Sequence, residues 1–238
     1  ADTFNVEKFV LVSTDKAVNP VNIMGATKRV AEKLIQSINE VSKTKFMAVR
    51  FGNVLGSSGS AMPIFQNQIK KGGPITITHP EMTRYFMSIQ EASQLILQSG
   101  AFGSDGEIFL LDMGKPIKID RIARDLVKLS GLEPEVDIPI VYTGLRPGEK
   151  LYEELQHTGE QKLVTKHKKI MILKNKNPIM RWNKLESLVN DLIYKSKSLD
   201  NDIIQSNLKK LIPTYQPRSL ISMYETDEDV KSYKILKA

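Results

Sequence analysis

The run Ser13-Thr14-Asp15-Lys16 follows directly on the apolar stretch Phe9–Val12, and Pro20 then opens a helical pattern carrying Met24 and Lys28 four residues apart. Four residues is one helical turn, so those two side chains share a face. A hydroxyl, a carboxyl and two ammonium groups would converge at one strand end, a set able to give and take protons. The plainer reading is a solvated strand end with an ordinary surface lysine. Spacing alone does not separate the two.

Other chemistry-bearing residues point less far. Gly52, Gly56 and Gly59 form GNVLGSSG after an apolar run, but the spacing is GxxxGxxG, and no acidic residue ends a following strand about twenty residues on, as a dinucleotide fingerprint requires. It reads as a flexible turn. His79, His157 and His167 lack metal-ligand spacing and read as surface or loop residues. There are no cysteines, which excludes disulfides, cysteine-ligated zinc, iron–sulfur clusters and thiol catalysis and favours a reducing cytoplasm. Trp182 reads as a packing residue.

The elements that must position these groups alternate. Phe9–Thr14, Phe46–Phe51, Ile75–Thr78, Glu107–Met113, Ile138–Tyr142 and Lys168–Leu173 read as strands. Ile23, Ala26, Val30, Leu34, Ile38 and Val41 recur at helical spacing over about five turns. Further helices are expected near 61–71, 89–99, 118–130 and 149–156. A βαβα order with near-continuous apolar strands predicts a parallel sheet covered by helices on both faces, with ligands gathering at the carboxyl ends of its strands. Residues 1–176 form the main unit, 177–218 a helical extension with one face on that body, and 219–238 a weakly ordered tail.

Composition bounds the rest. The 238 residues are 41% hydrophobic and 26% charged, enough for one large core or two small ones. No apolar run approaches the roughly 18 to 20 residues that cross a bilayer, and the N-terminus lacks the pattern of a signal peptide. The net charge of +7 suggests an anionic partner. Lysines are scattered apart from Lys166–Lys169 and the C-terminal helices, so nucleic acid is not the expected one.

Five blocks, STDKAVNPVNIMGATKR, RFGNVLGSSGSAMPIF, THPEMTRYFMSIQEA, EIFLLDMGKPIKI and GLRPGEKLYEEL, follow in order between about residues 8 and 175. Together the sequence resembles the nucleotide-sugar 4,6-dehydratases of bacterial polysaccharide biosynthesis, extended short-chain dehydrogenases acting on UDP-N-acetylglucosamine. The resemblance implies an α/β fold, the C-terminal part of a Rossmann-type doubly wound parallel sheet with a small substrate-binding lobe. It implies NAD as cofactor, a UDP-sugar as substrate and a homo-oligomeric parent enzyme. In such enzymes C4 is oxidised, a base removes the C5 proton as the C6 hydroxyl leaves, and the hydride returns to C6.

By that resemblance Lys16 is the base at C5, Asp15 the acid for the departing hydroxyl, and Thr14 a hydrogen-bond partner near the C4 oxygen. Lys28 holds the nicotinamide ribose and, beside Lys16 in a desolvating pocket, lowers its proton affinity. Gly52 lets the backbone approach the nicotinamide, Asn53 contacts substrate, Arg84 and Arg146 clamp the diphosphate, and Glu149 lies near the uridine ribose. Arginine suits that clamp because its planar fork stays charged and binds two oxygens at once. Met24 departs from the superfamily, standing where a tyrosine would take the C4 hydroxyl proton, and a thioether carries no proton. Either Asp15 or a water assists there, or the chain does not oxidise. Packing within the helix is the plainer reading of Met24. Met24 and Ser58 resemble the long branch whose N-terminal anchor, outside this sequence, places it on the cytoplasmic face of the inner membrane.

The glycine-rich loop and about three earlier strands have no counterpart here, so the expectation is a C-terminal part that needs an N-terminal Rossmann half and is inactive alone. A non-catalytic binding or assembly subunit and a nucleotide-sugar epimerase are the alternatives.

Overall fold

The computed structural model describes residues 1–57, 59–104, 106–175 and 178–217. The elements run β1 (Lys8–Val12), α1 (Ile23–Ile38), β2 (Lys45–Arg50), β3 (Asn53–Val54), α2 (Ala61–Lys70), β4 (Ile75–Ile77), β5 (Thr83–Arg84), β6 (Phe86–Met87), α3 (Ile89–Phe102), β7 (Ile108–Leu111), β8 (Ile117–Lys118), α4 (Ile119–Leu129), β9 (Ile140–Tyr142), β10 (Glu160–Val164), β11 (Ile170–Asn175), α5 (Trp182–Ser196) and α6 (Asn201–Leu211). The expected tail at 219–238, Ser58 and the joint at 176–177 lie outside the described residues.

The main sheet has the order β1-β2-β7-β11-β10. β1, β2 and β7 pair in parallel. β11 and β10 are antiparallel, a departure from the all-parallel expectation. The five residues between β10 and β11 are too few for the crossover that parallel pairing needs.

Alternation along β2 and β7 explains why both strands read as unbroken apolar runs. Met47, Val49, Phe109 and Leu111 pack with Ala92 and Leu95 of α3 on one face. Phe46, Ala48, Ile108 and Leu110 pack with Ile35 of α1 on the other. Successive residues of a strand face opposite sides, so both sides must be apolar when both are covered.

A second core gathers Phe65 and Ile69 of α2, Ile75 and Ile77 of β4, Ala123 and Val127 of α4, and Ile140 of β9, forming the small lobe. A third joins Ala26 and Val30 of α1 to Leu185, Leu208, Leu211 and Tyr215. The C-terminal helices therefore cover α1, through the one apolar face expected of them.

Two expected helices change. α1 ends at Ile38, not Val41, because the Asn39 side chain bonds the Ile35 carbonyl and both backbone groups of Phe46. Residues 149–156 form no helix. The Arg84 guanidinium takes the carbonyls of Lys150 and Leu151, which a helix would have spent on its own N–H groups.

Candidate active site

Beyond Val12 the chain stays tied to β2. Ser13 N–H donates to Val49 O at 2.8 Å and Asp15 N–H to Phe51 O at 3.0 Å. A single 3₁₀ turn, Asp15–Ala17, then reverses the backbone, capped by Thr14, whose hydroxyl oxygen accepts from Lys16 N–H and donates to Asp15 Oδ1. The turn presents Lys16 above the sheet end. Its ammonium donates to Asp15 Oδ1 at 3.0 Å and Asn53 Oδ1 at 3.2 Å, and stands 3.7 Å from Glu153 Oε1.

Lys28, expected beside Lys16, has a backbone partner of its own. Lys28 Nζ reaches back to the Val12 carbonyl at 3.2 Å, and the groups around Lys16 are carboxylates and an amide oxygen. Lys16 and Asp15 are brought together as expected.

Gly25 makes this placement possible. A Cβ there would lie 2.2 Å from the Lys16 carbonyl oxygen, so α1 can approach the turn only with a glycine at that position. Asn22 caps α1 through Gly25 N–H and donates to Gly148 O at 2.8 Å. One side chain thus fixes both the helix start and the loop bearing Arg146 and Glu149.

A cavity of about 310 Å³ opens between these parts, lined by Lys16, Met24, Arg84, Arg146, Glu149 and Glu153 among others. Met24 is 48% exposed on its wall, which removes the packing reading. Gly52 has its space filled by this protein's own Tyr85 and Asp15, whose atoms would lie 3.1–3.3 Å from a Cβ there.

Arg84 lines the cavity but is buried, donating to the carbonyls of Thr83, Lys150 and Leu151 and standing 3.6–3.7 Å from Glu149 and Glu153, so three of its five N–H donors are taken by the protein. Arg146 is exposed, while its N–H is accepted by Glu149 Oε2. Among the described residues, five buried side-chain polar atoms lack a hydrogen-bond partner, and three of them surround Lys16: Asp15 Oδ2, Asn53 Nδ2 and Glu153 Oε2. Buried polar atoms are almost always satisfied, so this cluster fits a polar ligand that brings both donors and acceptors.

Beneath the site lies a charge network that sequence reasoning missed. Arg50 is fully buried and bonds both oxygens of Glu32 at 2.8–3.0 Å and Glu160 at 2.9 Å. Glu32 also accepts from Ser13 Oγ at 2.6 Å and Arg29 at 2.8 Å. Burial pushes the Glu32 carboxyl up, but Arg50 outweighs it and holds the group at about 2. The one sequence signal was a charge inside the strand FMAVRF. His157, expected at the surface or in a loop, lies in a loop but is half-buried, 3.1 Å from Asn19 Oδ1 through Nδ1, and burial with help from Arg29 pushes it down to about 4.

The parallel strands, the proton-carrying pair at a strand end and the helix bearing Met24 and Lys28 define a short-chain dehydrogenase-type α/β protein. The chain belongs to the family described as polysaccharide biosynthesis protein, whose profile matches residues 1–175. The capsular polysaccharide biosynthesis protein CapD of Staphylococcus aureus is 65% identical over 156 residues, 65% of this chain and 26% of CapD. The chain thus spans about a quarter of that relative. The structure of Pen from Bacillus thuringiensis superposes with a TM-score of 0.66 at 32% identity, covering 80% of this chain and 64% of that one. The same fold appears in DesIV, a dTDP-glucose 4,6-dehydratase from Streptomyces venezuelae solved with NAD and TYD bound, with a TM-score of 0.58 at 19% identity, covering 66% and 53%.

Proposed function

We propose that this chain is the substrate-facing part of an NAD-dependent nucleotide-sugar 4,6-dehydratase acting on a UDP-N-acetylhexosamine, UDP-N-acetylglucosamine first, in surface polysaccharide synthesis. The observation that carries the reading is Lys16, which lines a cavity, with the buried Asp15 carboxylate 3.0 Å from its ammonium and three unpartnered polar atoms around it. A sugar's hydroxyls would satisfy such atoms.

Asp15 would accept the C4 hydroxyl proton as the hydride leaves C4 and pass it to the departing C6 hydroxyl, Lys16 would remove the C5 proton, and Thr14 would orient Asp15 through its Oδ1. Met24 contributes shape alone. Arg146, exposed at the cavity mouth, would meet the diphosphate, with Glu149 holding its backbone. Among the described residues Lys28 has one acceptor, Val12 O, which leaves two ammonium protons for the hydroxyls of a nicotinamide ribose. When bound, NAD supplies the hydride acceptor that makes C4 a ketone and the C5 proton acidic. Its diphosphate would lean on a glycine-rich turn from a partnering N-terminal half. The unpaired second edge of β1, where Phe9 and Val12 are 37% and 46% exposed, supports addition of further strands there.

The test uses the enzyme assembled with that half. With UDP-N-acetylglucosamine and NAD in deuterium oxide, a 4-keto-6-deoxy product with deuterium at C5 is expected, and Lys16→Ala should slow it on the order of 10²-fold or more. A C4-inverted product, binding without product, or full-rate C5 exchange in Lys16→Ala would overturn the reading.

A further inference from the structure

Glu153 belongs to no expectation drawn from the sequence, yet its carboxyl is the third one at the site. It lies in the irregular segment after Pro147-Gly148, with a side chain 3% exposed. Oε1 stands 3.7 Å from Lys16 Nζ and 3.6 Å from Arg84 Nε. Oε2 is buried with no partner. Among the described residues no N–H or O–H donates to either oxygen at hydrogen-bond distance, an unusual position for a group that as an anion offers about four acceptor sites. The carboxylate is left to two cations beyond hydrogen-bond range. Its neutral acid would lose little.

The surrounding residues hold it there. Arg84 is buried on β5 and spends its fork on the carbonyls of Lys150 and Leu151, which fixes the backbone leading into Glu153. Lys150, whose charge also acts on Glu153, is tethered to Val18 O and Glu154 instead. The titratable and charged groups facing Glu153 are thus Lys16 and Asp15 from the turn after β1, Arg84 from β5, and Lys150 from its own segment.

We propose that Glu153 is a positioning residue that acts through Lys16, holding the proton the ammonium must give up before its amine can attack C–H. This rests on the dehydratase reading above. In the step an N–H bond of Lys16 breaks and an O–H bond forms at Glu153 Oε1, leaving a neutral amine beside a neutral acid. The amine then takes the C5 proton, the resulting ammonium exchanges with solvent and later delivers a proton to C5, and Glu153 hands its own proton back to the amine, so the number of protons on the pair is unchanged over a cycle. A small rotation closes the 3.7 Å gap. The electrostatics run the same way: burial pushes the Glu153 carboxyl up, Lys16 draws it back, Asp15 pushes it up again, and the net direction is upward.

Two measurements test this. In the assembled enzyme, Glu153→Gln should lower kcat at neutral pH on the order of 10²-fold with KM unchanged, and the deficit should shrink as pH rises, because Lys16 must then lose its proton to solvent. Glu153→Asp should recover part of the rate. An unchanged kcat, a rise in KM alone, or an equal loss at every pH overturns the proposal. The second readout needs no turnover. In the 238-residue chain with ¹³C-labelled carboxyl groups, the Glu153 midpoint should lie above the ordinary glutamate range and move further up in Lys16→Met, where the cation is gone. A midpoint indifferent to Lys16 overturns it even if Glu153→Gln fails to fold. A wild-type enzyme yielding no 4-keto-6-deoxy sugar, with the Glu153–Lys16 coupling intact, removes the dehydratase reading and leaves the pairing standing.

Discussion

Arg50 has no exposed surface, and its N–H donors go to carboxylates from α1 and β10 and to the Leu155 carbonyl. Removing one member of a buried, hydrogen-bonded charge set strands the others without water. Glu32→Gln should therefore destabilise the fold by about 3–5 kcal/mol, read as a drop in the midpoint of urea unfolding. Ser13 donates to Glu32 and its neighbour Thr14 caps the turn that aims Lys16, so damage to this set also reaches the site. At this scale Asp15 and Lys16 were legible because a polar triplet interrupts an apolar run. Glu153 was not, because GEKLYEEL offers acids and leucines at helical spacing and hence looks like a solvated helix face. Arg84 was legible only by type: an arginine announces anion binding, while two of the carbonyls that this one donates to belong to residues 66 and 67 positions away.

Among the elements, the contact of α1 with the turn after β1 is the most exacting. A Cβ on Gly25 would meet a backbone oxygen at 2.2 Å, which no side-chain rotation relieves. Gly25→Ala is predicted to displace the helix start or the turn, lowering stability by about 1–3 kcal/mol and cutting turnover further than the stability loss explains. Unfolding curves and single-turnover rates measured together would check it, and wild-type turnover would contradict it. The long elements were readable because α1, β2 and β7 bury enough side chains to impose a period on their residues. β3, β5, β6 and β8 have two residues each, too short for any period. Their pairing partners lie far along the chain. The segment 149–156 shows how a tertiary partner overrides local preference: its apolar spacing suits a helix, but Arg84 claims two of the carbonyls that would close it.

On the scale of the whole molecule, the buried titratable groups should show in sequence in the acid response. His157 lies at about 4 in the folded chain against 6.5 when unfolded, so the unfolded state binds the extra proton and stability falls as pH drops from 6.5 towards 4. Glu32 lies at about 2 against 4.5, so its contribution is intact above 4.5 and is lost as pH falls towards 2. Urea midpoints at pH 7, 4 and 2 should decline in two steps, the upper from His157 and the lower from Glu32. His157→Gln should flatten the upper step and leave the lower one, and an unaltered upper step would refute the assignment.

The cover over α1 also sets an order of events in biosynthesis. Leu185, Leu208, Leu211 and Tyr215 bury Ala26 and Val30, and Gln216 N–H closes on the Pro20 carbonyl just ahead of that helix. At ~5–20 residues per second, the ribosome takes roughly 10–40 s to travel from Ile23 to Tyr215. For that interval the helix bearing Met24 and Lys28 has a bare greasy stripe, the condition that recruits holding chaperones to a nascent chain. The helix that lines the cavity with Met24 is thus laid down well before the segment that covers its other face.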